Sequence, residues 1–337
     1  MPKLKFAILG CGRISYKHIE ALINNNQEAV LTAVSDIVIE KAVERKMQYE
    51  SAIDKADVKV YTDYSEMLYN EDIDVISIAT ESGYHAKHAM DCLNANKHVL
   101  IEKPMALSVK DADDIIALAK KKNKQVCISH QNRFNPPIQK LRRAIEEGRF
   151  GRIINGTARI LWTRDDNYYK QAPWRGTKEL DGGTLMNQCI HNIDLLQWMM
   201  GSEVERVHCE RGTFLRNIEM EDFGAILIRF KNGSIGIVEG SACVYPKNLE
   251  ETLSIFGEKG TVVIGGLAVN EIKTWKFEDK RDYDNEDAFA EIDNVYGTGH
   301  TPLYKNYIDA INNGTEPLVN GEEGKKAMEI ILRAYGE

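Results

Sequence analysis

The sequence predicts an α/β protein in two parts, a doubly wound parallel sheet followed by an α+β domain on a large, mostly antiparallel open sheet. Three observations carry this. An apolar strand runs directly into a glycine turn at "KLKFAILGCGRIS". Apolar strands then alternate with helical spacing as far as Lys124. Beyond it the apolar runs lengthen, alternate in and out, and are joined by glycine-containing turns.

The first strand ends at Gly10, and "SYKHIEALINN" carries helical spacing at Ile19, Ala21, Leu22 and Ile23. A second strand, "AVLTAVSD", ends on Asp36; a third is "DVISIAT" (74–80). After the helix "YHAKHAMDCLNAN" comes "KHVLIEKP" (97–104), where Pro104 stops the strand. The second part contains "RIINGTARILWT" (152–163), "FGAILIRFKNGSIGIVEGSACV" (223–244) and "TLSIFGEKGTVVIGG" (252–266), which read as hairpin strands. The last helix, "GEEGKKAMEIILRAYG", reads as a packing element. The boundary is placed near residue 124, giving units 1–124 and 125–337.

Gly10 and Gly12 open a G-x-G-x-x-S turn between a strand and a helix, with Ser15 as the small third residue. In that setting one glycine makes the tight turn and the other lets backbone N–H groups approach a pyrophosphate at the helix N-terminus. Asp36, at the end of the second strand, is placed to accept from a ribose 2′-hydroxyl and to repel a 2′-phosphate, which favours NAD over NADP. The first part is therefore a Rossmann domain with NAD as its cofactor.

Bulk properties exclude other classes. Net charge −8 argues against general affinity for nucleic acid or anionic membranes. Six cysteines are scattered without a CxxC pair, as expected of reduced thiols in a cytoplasmic protein. No apolar run reaches the ~20 residues of a membrane span. His85 and His88, and Cys189 and His191, recruit no further ligands by spacing, so no metal is expected.

The stretch "TESGYHAKHAMDCLNANKHVLIEKPMA", with its E-K-P after a strand, resembles the glucose–fructose oxidoreductase / inositol dehydrogenase (Gfo/Idh/MocA) family, and the resemblance extends over the whole chain. It implies that Lys103 reaches both cofactor and reacting hydroxyl, consistent with a lysine at the carboxyl end of a parallel strand. It adds Arg13, Ile14, Thr80, His85, Glu102 and Gln131 to the cofactor set of Gly10, Gly12, Ser15, Asp36 and Lys103. It also implies a dimer or tetramer.

Laid on a helix at 100° per residue, Thr184, Asn187, Gln188, His191, Asp194, Leu195 and Trp198 fall on one face, opposite Leu185, Met186, Cys189, Ile193, Leu196 and Met200. A polar stripe with so little charge suits a partly closed site better than bulk water. The family pattern places its histidine, the general base, at His191, and imidazole has a pKa near the working pH. Many members carry aspartate where this chain has Asn187, which can orient the ring but cannot favour its charged form.

"GGTLMNQCIH", "SHQNRFNPPIQ" and "YGTGHTPLYKNYIDAI" resemble the subgroup acting on UDP-N-acetylglucosamine-derived sugars. That implies NAD-dependent oxidation of a C3 hydroxyl, most specifically of UDP-N-acetylglucosaminuronic acid, to a 3-keto sugar for surface-polysaccharide synthesis. The segment "RILWTRDDNYYKQAPWRGTK" interleaves cations with aromatics, so Arg164, Tyr169, Trp174 and Arg175 join Arg133 and Thr184 as substrate-binding candidates. The alternatives are dehydrogenation of UDP-N-acetylglucosamine, a free sugar or inositol, or a non-catalytic dinucleotide sensor.

Overall fold

A computed structural model of the chain describes residues 2–70, 72–286, 288–289, 291 and 296–337. In chain order the elements are β1 (Leu4–Leu9), α1 (Ser15–Asn24), β2 (Ala29–Ser35), α2 (Ile39–Glu50), β3 (Lys59–Tyr61), α3 (Tyr64–Asn70), β4 (Val75–Ile78), α4 (His85–Asn94), β5 (His98–Ile101), α5 (Val109–Lys122) and β6 (Val126–Ile128). There follow α6 (Pro136–Glu146), β7 (Ile153–Leu161), α7 (Asp166–Lys170), α8 (Ile190–Met200), β8 (Val204–Gly212), β9 (Phe223–Phe230), β10 (Ile235–Ser241), β11 (Glu250–Gly257), β12 (Gly260–Gly265), β13 (Glu271–Phe277), α9 (His300–Asn313) and α10 (Gly321–Tyr335).

Two compact units result. The first comprises Met1–His130 and His300–Lys325, the second Gln131–Gly299 and Lys326–Glu337. In the first, six strands run parallel in the order β3-β2-β1-β4-β5-β6, the doubly wound pattern expected from the alternation of strands and helices. β1, β4 and β5 are apolar along most of their length because helices cover both faces.

The expected boundary near 124 needs two corrections. β6 belongs to the first sheet, pairing with β5, and α9 returns to the first unit, where it packs on α1. The reason is chemical: Tyr307 donates its hydroxyl proton towards the Val99 and Gln125 carbonyls (2.8 and 2.9 Å), and Tyr304 packs against Phe6. These apolar positions of α9 complete the first core, although they lie far along the chain.

In the second unit seven strands order as β13-β12-β11-β7-β10-β9-β8, all antiparallel except β7 with β10. β8 and β13 escaped the sequence reading because both are half-exposed and rich in charge, without clean alternation. α8 covers one face of this sheet, packing on β7, β10 and β11. Gly156 on β7 permits the approach, since a side chain there would meet Leu196 at 2.7 Å.

Candidate active site

The glycine turn of the first unit does what its sequence requires. Gly10 has φ +92°, and a Cβ on it would lie 2.6 Å from the carbonyl carbon of Ala79, just beyond β4. Glycine is thus needed both for conformation and for close passage of another backbone. Gly12 has nothing within 4 Å of where a Cβ would stand, so its surface is open to a ligand. Ser15 is buried and donates its hydroxyl proton to the Gly12 carbonyl (2.6 Å). α1 begins at Ser15 without a side-chain cap; Arg13 is exposed, and Ile14 at the N-cap is half-buried. Uncapped N–H groups at a helix start suit a pyrophosphate. Asp36 accepts from the Cys11 N–H (2.7 Å) and the Val38 N–H (2.8 Å), which fixes its carboxylate at the strand end.

At the ends of β4 and β5, His85 bridges two carbonyls, Pro104 O through Nδ1 (2.7 Å) and Thr80 O through Nε2 (3.0 Å). Burial depresses its pKa, while the two acceptors oppose that by favouring an N–H on each nitrogen. His85 therefore ties together the segments carrying Thr80 and Lys103. Lys103 is half-exposed at the end of β5, and Pro104 behind it is buried.

Glu102 corrects an expectation. Assigned to the cofactor set by resemblance, its side chain instead lies inward, with Oε1 3.0 Å from His18 Nε2 and 3.5 Å from His300 Nε2. The two imidazoles hold the carboxyl well below its usual range against the opposing effect of burial, the largest single influence on it. His18 Nδ1 in turn meets the Tyr304 hydroxyl (2.7 Å), which meets Ser77 Oγ (2.7 Å). Spacing could not reveal this cluster, because its members come from α1, the end of β5 and α9.

In the second unit, residues Leu185–Cys189 form a π-helical turn leading into α8. A uniform 100° step therefore fails at the start of this helix, and π turns recur at functional sites. The accessible residues are Asn187, Gln188, His191 and Trp198, all on the expected stripe, whereas Thr184, Asp194 and Leu195 are buried. Asn187 donates its amide to Asp181 Oδ1, and Asp181 Oδ2 accepts from the Gly176 N–H (2.6 Å). The carboxylate absent from position 187 is thus found on Asp181, hydrogen-bonded to Asn187 from six residues earlier.

Arg133 is a second correction. Its guanidinium is fully buried, forked onto Asp194 (2.7 Å at both Nε and Nη2) and lying 4.7 Å from the Trp198 ring centre. Its guanidinium is committed to Asp194 instead of a substrate; that acidic partner is 61 residues away, so no local signal announced the pairing. Gln131 is likewise buried, with Oε1 lacking a hydrogen-bond partner.

The 159–178 segment does assemble. Arg164 Nε donates to Gln188 Oε1 (2.9 Å), Gln188 Nε2 to the Tyr168 hydroxyl (3.0 Å), and Arg175 Nη1 to the same hydroxyl (2.5 Å). Both guanidiniums stack on Tyr168, at 5.1 and 4.2 Å from the ring centre; Arg164 also lies over Trp162 and Arg175 over Trp174. Tyr169 stands edge-on to Tyr168. Among the described residues neither Arg164 nor Arg175 has a carboxylate within ion-pair distance. Sequence reasoning found the arginines, put Gln188 on the polar stripe and Tyr168 among the interleaved aromatics, but not that these two join the arginines.

A glycine turn built for a pyrophosphate, an acid at the second strand end, and a second unit with a half-exposed histidine on its covering helix define an NAD-dependent oxidoreductase. Residues 4–130 match the oxidoreductase family with an NAD-binding Rossmann fold, and residues 138–263 match the GFO/IDH/MocA C-terminal domain. The chain belongs to the GFO/IDH/MocA oxidoreductase family. It is similar to the WlbA dehydrogenase of Bordetella pertussis, crystallised with NADH and UDP-GlcNAcA: 35% identity, TM-score 0.89, covering 100% of this chain and 95% of that one. The corresponding Chromobacterium violaceum structure, in complex with the same two molecules, is 37% identical with TM-score 0.88, covering 99% and 93%. Myo-inositol 2-dehydrogenase of Thermotoga maritima is 26% identical over 96% of this chain and 93% of its own length. Among the described residues, no helix is long and apolar enough to cross a membrane.

Proposed function

We propose that the protein oxidises the C3 hydroxyl of a UDP-N-acetylglucosamine-type sugar acid, UDP-N-acetylglucosaminuronic acid above all, in surface-polysaccharide synthesis. The observation that carries this is the pair Arg164 and Arg175, two guanidiniums on one tyrosine with no carboxylate within ion-pair distance among the described residues. In a chain of net charge −8, cations left uncompensated beside aromatic rings suit an anionic substrate with flat surfaces. The likeness to two dehydrogenases crystallised with NADH and UDP-GlcNAcA supports the same reading.

In the mechanism proposed, His191 takes the proton of the reacting hydroxyl. The Lys103 ammonium stabilises the alkoxide character that develops on that oxygen. Asn187, held by Asp181, orients the imidazole. Bound NAD supplies the hydride acceptor. The Gly10–Ser15 turn and Asp36 hold the cofactor by its pyrophosphate and ribose.

A second reading, oxidation of inositol or a free sugar, is favoured by the similarity to myo-inositol 2-dehydrogenase. A neutral polyol gives Arg164 and Arg175 no charge to meet. A substrate panel read by NADH absorbance separates the two. On the nucleotide-sugar reading, Arg164→Met and Arg175→Met each raise KM for the UDP-sugar by about 10- to 150-fold, the worth of one charge-assisted hydrogen bond. Turnover of inositol alone, with both variants kinetically silent, defeats the proposal.

A further inference from the structure

The inner face of β11 carries Glu251, Leu253 and Ile255, and the matching positions of β7 are Ile160, Ala158 and Gly156. This is the apolar face beneath α8, and Glu251 breaks its pattern. Asn192 of α8 is fully buried beside the Glu251 carboxyl, yet neither its Nδ2 nor its Oδ1 makes a hydrogen bond of good geometry. Asn132 donates from Nδ2 to Glu251 Oε1 (3.4 Å), leaving its own Oδ1 unpartnered. Glu251 Oε2 is also buried without a partner. A carboxyl and two carboxamides with four orphaned atoms are out of place between a helix and a sheet, where buried polar groups are normally satisfied.

We propose that Glu251, Asn192 and Asn132 form a ligand subsite in the second unit, which takes an uncharged hydroxyl or acetamido group of the sugar, with the Glu251 carboxyl as a donor. This rests on the sugar-dehydrogenase reading above. A neutral acid and carboxamides each donate and accept, so together they fit groups that do both. Arginine handles the charge of such a substrate, and this niche handles its neutral part.

Burial pushes the Glu251 carboxyl up to about 8, with the Asn192 amide and the Arg164 charge opposing the rise. At neutral pH it therefore keeps its proton. Of the other charged or titratable groups nearby, Arg133 and Asp194 neutralise each other, and His191 is the next residue to Asn192. Arg159 is spent on Glu239 and Glu250, on the opposite face of the sheet.

The test compares Glu251→Gln, Glu251→Leu and Asn192→Ala in the full-length protein, measuring KM and kcat from pH 6.5 to 9.5 with NAD affinity followed separately. Wild-type KM rises at least threefold across a midpoint near 8. Glu251→Leu and Asn192→Ala raise KM at least tenfold at pH 7, with NAD affinity unchanged. Glu251→Gln keeps a donor and an acceptor, so its KM rises less than that of Glu251→Leu and no longer varies with pH. Should Glu251→Leu fail to fold, the pH profile of Glu251→Gln decides.

UDP-glucuronate, compared with its N-acetylated counterpart, separates a hydroxyl from an acetamido occupant. Unchanged KM in both truncations, a pH-independent wild-type KM, or a substrate complex with only ordered water in the niche overturns the proposal. If inositol proves to be the substrate, the nucleotide-sugar reading falls, and the niche is judged by the same measurements with inositol.

Discussion

Asp194→Asn would remove half of a buried ion pair. Arg133 and Asp194 have side chains 0% and 1% exposed, joined by two bonds of 2.7 Å, and the guanidinium faces the Trp198 ring. Deleting one member leaves the other charge in a medium that cannot solvate it, at about 3–5 kcal/mol, whereas replacing both with apolar residues is close to neutral. For a domain of this size ~1 kcal/mol moves Tm by about 2–4 °C, so either single variant, Asp194→Asn or Arg133→Met, should melt roughly 6–20 °C lower. Arg133→Met with Asp194→Leu should recover most of that loss. All four tryptophans (Trp162, Trp174, Trp198, Trp275) lie in the second unit, so their fluorescence during urea or thermal unfolding reports on this unit alone. Single variants within 1 kcal/mol of wild type, or a double variant as unstable as the two losses added, would refute the reasoning.

Two predictions concern the first unit and the chemistry. Gly10→Ala forces a Cβ to 2.6 Å from the Ala79 backbone at φ +92°, and neither can yield cheaply; NAD affinity by calorimetry should fall at least tenfold while the tryptophan-reported unfolding of the second unit is unmoved. His191→Ala should bind NAD normally and Lys103→Met should still bind it, and each should lose about 10²- to 10⁴-fold in turnover at saturating NAD; near wild-type turnover with the cofactor bound removes that residue from the mechanism.

The legible part of the fold was whatever repeats locally. β1 through the glycine turn into α1 could be read because strand period, turn chemistry and helix period follow one another within a few residues. The stripe on α8 could be read because a helix displays its faces in its spacing, although the π turn shifted the phase at its start. What stayed hidden was pairing at a distance. Arg133 looks like any basic candidate until Asp194 is placed against it, and Glu102 resembles a cofactor contact until His18 and His300 close on it. Side chains consumed by remote partners carry no mark of that in their own neighbourhood, so composition over-supplied site residues and geometry removed them.

Glu251 shows what such a buried group costs. Its unfolded pKa lies near 4.3 and its folded value near 8, so between those pH values the native state holds a proton that the unfolded chain has released. The unfolded state then binds fewer protons than the native one, and stability falls as pH rises through this window, levelling off above the folded value. At 1.36 kcal/mol per unit the shift sets an upper limit of about 5 kcal/mol on that loss. Glu251→Gln cannot titrate, so its stability relative to wild type should improve by several kcal/mol between pH 5 and pH 9, read as urea midpoints from tryptophan fluorescence. Taking the difference between variant and wild type cancels every other titrating group. A constant difference across that range would mean the carboxyl is solvated or already ionised, and the subsite would lose its donor.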